Sequence, residues 1–141
     1  MKITDRYKKM ALKAEEIQRR WDGRYCSWVW VPHRNWTGLK QNAHEMSDNC
    51  VWLPTQEELQ EMLAPKNAFW YYVGLDYLNK EMGEVYGPLY AQGYFNDGNE
   101  FWLAVVMWRK YHKIWDDEKE EWVDKYGREA GESDEEGGDA E

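Results

Sequence analysis

Near the start of the chain, Ile3, Tyr7, Met10, Ala11, Ala14, Ile17 and Trp21 recur mainly at steps of three and four. They share one face of an amphipathic helix predicted over about residues 4 to 20. Glu15 with Arg19 and Glu16 with Arg20 add acid-before-base pairs one turn apart, and Asp22-Gly23 supplies the chemistry of a stop. The pattern then changes period. Tyr25 to Val31 is a run of aromatic and β-branched residues closed by Pro32, which predicts a strand apolar on both faces. His33 to Asn49 is polar and is expected to be a loop.

Thr55 followed by Glu57 and Glu58 reads as an N-cap with a capping box and acids in the first turn, so a short helix is expected over about residues 56 to 64. Ala68 to Met82 fits both a helix and a strand, and its length favours a helix. Gly83 to Gly98 carries four glycines and Pro88 and is expected to be a long connection, with Leu89 to Phe95 as an optional short strand. Glu100 to Tyr111 is apolar almost all round, the mark of a central buried helix. Lys113 to Trp115 and Glu120 to Val123 then pair as a hairpin across a turn of about four residues.

The predicted fold is α+β, a helix-dominated single domain over residues 1–126. It carries a small antiparallel sheet that includes residues 25 to 31 and the C-terminal hairpin. Residues 127–141 are expected to be a disordered acidic tail, because Gly127 to Glu141 sets seven acids against Arg128 alone. Most of the net charge of -9 resides there. The first twenty residues run the other way, with seven basic side chains against three acids. An acidic chain is a poor nucleic-acid binder. The longest apolar run, Phe101 to Trp108, is far shorter than the roughly 20 residues of a membrane span. Ten charged residues between Met1 and Arg20 exclude a signal peptide, and two cysteines make no disulfide framework. A cytoplasmic location follows as an expectation.

Val51 to Leu63 (VWLPTQEELQEML) and Trp102 to Met107 (WLAVVM), with Lys110-Tyr111, Lys113, Trp115 and Trp122-Val123, resemble a group of small proteins encoded by phages and prophages of Firmicutes. The resemblance spans residues 5 to 124. It departs from that pattern over Ala68 to Phe95 and in the acidic tail. It implies an accessory protein of a mobile element and brings no activity and no site residues.

Cys26, His33, His44 and Cys50 offer zinc-compatible atoms, but without the short ligand spacing of zinc modules they read as packing and loop residues. The same cysteines have no motif around them that would make a nucleophile. Glu57, Glu58 and Glu61 read as a solvated helix face, and His112 as a helix-end cap. Gly83, Gly87, Gly93 and Gly98 form no phosphate-binding fingerprint. No catalytic residue, metal or cofactor is therefore expected.

Ten tryptophans and ten tyrosines against three phenylalanines mark large side chains with one polar edge, suited both to a small core and to a binding face. Eight of the tryptophans have a structural post on or beside a predicted element, whereas Trp36 in the polar loop and Trp70 in the aromatic run lack one. The candidate binding face is Trp36, Trp70, Tyr71, Tyr86, Tyr90 and Tyr94. The functional expectation is a non-enzymatic accessory protein that binds another protein, with oligomeric state open. Alternatives are an acidic nucleic-acid mimic, using the tail and the acids of Asp116 to Asp124, and a small carbohydrate-binding domain.

Overall fold

The computed structural model describes residues 2–21, 27–40, 50–63, 75–95 and 97–124. The expected stop at Asp22-Gly23, Cys26, His44, Trp70, Tyr71 and the acidic tail lie outside the described residues.

Thr4 caps the first helix, its hydroxyl accepting the Tyr7 N–H at 3.0 Å. The single helix expected over 4 to 20 is two: α1 (Asp5–Lys13) and α2 (Glu15–Gln18), interrupted at Ala14 with φ -86 and ψ 73. Every residue there is an acceptable helix former, so the break has a tertiary cause. The Ala11 carbonyl accepts both the Ala14 N–H at 3.1 Å and the Gln18 side-chain amide at 3.0 Å. The reset places that amide against Trp52, where it donates to the carbonyl and accepts from the N–H, both at 2.8 Å.

The strand expected from Tyr25 is described as β1 (Trp28–Val31), with Val29 and Val31 buried and Trp28 and Trp30 half-buried. The loop expected over His33 to Asn49 contains a strand, β2 (Trp36–Leu39), joined to β1 through a 3-10 turn at Pro32–Arg34. Asn35 closes that turn at φ 50, a left-handed conformation that Asn tolerates well. Val31 faces Trp36 and Trp28 faces Leu39 in the antiparallel register. A short β3 (Val51–Trp52) pairs with the other edge of β1, giving the order β2-β1-β3.

The capping box forms as expected: the Glu58 N–H reaches the Thr55 hydroxyl at 3.2 Å and the Thr55 N–H reaches Glu58 Oε1 at 2.9 Å. The helix it starts is α3 (Gln56–Leu63). α4 (Leu75–Tyr86) runs through Gly83, so the long connection expected from Gly83 is largely helix. After Gly87 comes α5 (Pro88–Ala91), with proline at its first turn, where the missing N–H costs nothing. Leu89 to Phe95 forms no strand. α6 (Gly98–Tyr111), capped by the Asp97 carboxylate, is the buried central helix expected, with Leu103 to Met107 fully enclosed. α6 packs on α1, α3 and the first strand of the hairpin β4 (Lys113–Asp116) and β5 (Glu121–Asp124). The hairpin is a two-stranded sheet separate from the three-stranded one, and α1 contacts both, β3 of one and β5 of the other.

The fold is helix-dominated α+β, and the tryptophans tie its layers together through their polar edges. The Trp122 indole N–H donates to the Met10 carbonyl at 3.0 Å, pinning β5 to α1. The Trp108 N–H donates to Glu81 at 3.0 Å, pinning α6 to α4. No helix among the described residues is long and apolar enough to cross a membrane.

Candidate functional site

The turn-rich stretch after α4 gathers the tyrosines. Gly87 sits at φ 68, a conformation open to glycine and costly to other residues, and no neighbouring atom crowds the position where a Cβ would stand. That turn lets α5 fold back, and Gly93 at φ 83 turns the chain again. Tyr86, Tyr90 and Tyr94 are thereby brought together around Phe95. Tyr86 meets Tyr94 at 5.5 Å between centroids and Phe95 edge-on at 5.0 Å, while Tyr90 stands 6.4 Å from both Phe95 and Phe101.

Two of the three tyrosine hydroxyls hold backbone. Tyr86 Oη accepts the Trp115 N–H at 2.9 Å, and Tyr94 Oη donates to the Trp115 carbonyl and accepts the Asp117 N–H, each at 3.2 Å. The outer edge of β4 is thus covered by two phenols. Tyr86 is only 7% exposed, so the expectation that it belongs to an exposed face is corrected: its ring is core, and its hydroxyl is spent on the hairpin. Burial pushes the Tyr86 phenol well above its ordinary pKa. Burial, then the nearby Asp117 carboxylate, raises that of Tyr94.

Arg6 locks this corner from α1. Its guanidinium lies 4.5 Å from the centre of the Tyr94 ring and bonds Glu100 Oε1 at 2.9 Å, Asp117 Oδ1 at 3.0 Å and the Tyr94 carbonyl. Glu100, with its side chain 3% exposed, also accepts the Thr4 hydroxyl at 2.6 Å. Burial opposes the Arg6 charge, but the carboxylates outweigh it and hold its pKa above the ordinary value. Sequence reasoning missed this network. Its one visible signal was an acid, Glu100, at the head of an otherwise apolar helix.

Two hollows flank the tyrosine corner. A groove of about 570 Å3 runs between α4–α5 and the hairpin, floored by Val85, Tyr86, Ile114 and Trp115, edged by the half-exposed Leu89 and rimmed by Asp116 to Glu118. A more open hollow of about 420 Å3 lies on the other side, walled by Tyr90, Phe95, Phe101 and Trp102 with Asp97 at its edge. The candidate residues Tyr86, Tyr90 and Tyr94 therefore converge, whereas Trp36 does not join them. It stands on β2, 38% exposed, with its ring folded over Gly38, where an added Cβ would come within 2.9 Å of it.

Among the described residues no three His, Cys, Asp or Glu side chains converge as a metal set; the group Cys26, His33, His44 and Cys50 falls partly outside them. No protein-family model, curated protein or solved structure matches the chain.

Proposed function

We propose that this chain is a non-enzymatic accessory protein of a phage or prophage that binds a protein partner in the groove between α4–α5 and the β4–β5 hairpin. The observation that carries the reading is Leu89, a leucine left 50% exposed beside an open apolar floor. Its wall is preorganised by the phenol bonds to Trp115 and by Arg6, which lowers the ordering cost of binding. An apolar anchor entering a rigid, aromatic-lined pocket is the usual make-up of an interface hot spot. Glu118, exposed at the rim, favours a partner whose anchor is flanked by lysine or arginine.

The chemistry of the groove supports binding over catalysis. A general base works best with a pKa near the working pH, and the Tyr86 and Tyr94 phenols are displaced away from it. The acidic-mimic alternative draws less support. Asp116 is occupied by the N–H groups of Glu118 and Lys119, Asp117 by Arg6 and Trp115, and Glu120 by Lys9.

Capture from lysate of a Firmicutes host, compared between the full chain, Leu89→Glu and Trp36→Ala, tests the proposal. A protein retained by the full chain and by Trp36→Ala but lost with Leu89→Glu is expected. Retention by Leu89→Glu, or loss with Trp36→Ala alone, contradicts it. Leu89 is exposed enough that its substitution should change stability by no more than about 0.5 kcal/mol.

A further inference from the structure

The groove beside Leu89 disfavours two of the ways in which a peptide segment is held. A strand adds to a sheet through free N–H and C=O groups on the edge it joins. At this groove the edge belongs to β4, and both outward groups of Trp115 are spent on the Tyr86 and Tyr94 hydroxyls. The next outward N–H, that of Asp117, is spent on Tyr94 as well. In the antiparallel ladder the groups of Ile114 turn the other way, toward Val123. An extended segment on this wall would bury its own N–H and C=O groups without partners, a cost incurred group by group.

A polyproline segment has no internal hydrogen bonds, so its carbonyls need donors from the surface they lie on. Trp115 Nε1 gives its hydrogen to Asp117 Oδ1 at 2.7 Å, and Tyr94 Oη gives its own to the Trp115 carbonyl. Among the described aromatic residues lining the groove, that leaves one phenol hydrogen, on the buried Tyr86. An α-helix meets the opposite condition. It satisfies its backbone internally and presents side chains from successive turns along one face. The floor of Val85, Tyr86, Ile114 and Trp115 supplies the apolar area such a face buries. A cavity of roughly 150 Å3 holds a benzene ring, so a groove of about 570 Å3 takes more than one anchor. Charge adds a direction. Glu118 is exposed at the rim, and no lysine or arginine is among the described residues lining the groove.

Taking the groove as the docking site, we propose that it receives one amphipathic helix of the partner protein. Apolar anchors three or four residues apart on that helix lie against the floor, and a lysine or arginine beside them faces Glu118.

Two displayed peptide libraries test the form of the partner separately from the place where it docks. One randomises a face of a helix held by crosslinks one turn apart, and the other randomises alternate positions of an extended segment rich in valine and threonine. Both are panned on the full chain and counter-selected on Leu89→Ala, which keeps the charge and removes the edge of the groove. Peptides that bind the full chain roughly fivefold or more tightly than Leu89→Ala should come from the helical library alone, with apolar residues three or four positions apart and a basic residue beside them. By fluorescence anisotropy, Glu118→Gln should weaken the best of them roughly two- to fivefold at low salt and leave it unchanged at about 1 M salt. Leu89-dependent peptides of equal affinity from the extended library overturn the helical form and leave the groove in place. No Leu89-dependent peptide from either library overturns the groove as well. Unchanged low-salt affinity in Glu118→Gln contradicts the basic flank. Both substitutions fall on exposed side chains, so the fold is kept.

Discussion

Gln18 and the two tyrosines Tyr86 and Tyr94 perform the same task on different strands. Each covers the outer backbone edge of a strand, Gln18 on Trp52 and the phenols on Trp115. An uncovered edge invites pairing with another chain and leaves polar groups without partners. Replacing Gln18 with Leu removes a donor and an acceptor at once and is expected to cost about 1–3 kcal/mol in urea unfolding; a change within error would show that water replaces both bonds freely. Arg6→Met leaves Glu100 buried without its cation and should cost about 2–3 kcal/mol, with Arg6→Met/Glu100→Gln recovering part of the loss. No recovery in the double variant would mean that Glu100 is not the group left stranded. Neither role was legible beforehand, because a glutamine and an arginine on a helix read as solvated until the partner arrives from a distant segment.

At the scale of elements, what could be read locally was read well. Thr55 with Glu58, the all-apolar run from Phe101, and the two halves of the β4–β5 hairpin carry their own signals within a few residues. What escaped depends on distant partners. Trp36-Thr37-Gly38-Leu39 is a strand because β1 lies beside it, and Val51-Trp52 is a strand because β1 has a second edge. The break at Ala14 likewise has no local cause. The four glycines from Gly83 to Gly98 suggest one long connection, although Gly83 lies inside α4 and Gly87 is a hinge between two helices. Substitution separates these uses. Gly87→Ala, forced to hold φ 68, should cost about 1–3 kcal/mol. Gly83→Ala, whose added carbon would meet Tyr90 at an ordinary 3.7 Å, should be neutral or stabilise by up to about 1 kcal/mol. Thermal unfolding of the two variants checks the contrast, and equal losses would contradict it.

For the whole molecule, the aromatic excess builds a core whose polar edges connect its layers, and this gives the protein a characteristic response to alkali. Tyr7, fully buried with its hydroxyl donating to the Pro54 carbonyl at 2.6 Å, and Tyr86 both ionise far less readily than the ordinary tyrosine at 10.0, chiefly because of burial. Above about pH 10 the unfolded chain has lost protons that the folded chain still holds, so stability is intact below that pH and falls as pH rises beyond it. Tyrosinate absorbance should therefore rise in two steps, the later one, from the buried rings, coinciding with loss of circular dichroism. A single rise near pH 10 with the dichroism unchanged would place Tyr7 and Tyr86 in contact with water.

The same corner of aromatic rings, phenol bonds and Arg6 shapes the proposed docking groove, and the site of docking is the central functional claim. Hydrogen–deuterium exchange of the full chain, alone and bound to the protein it captures from a Firmicutes host, measures that site directly. Added protection over residues 85–95 and 113–118, with β2 unchanged, is the expected result. Protection centred on Trp36 to Leu39, with residues 85–95 exchanging as in the unbound chain, would contradict it.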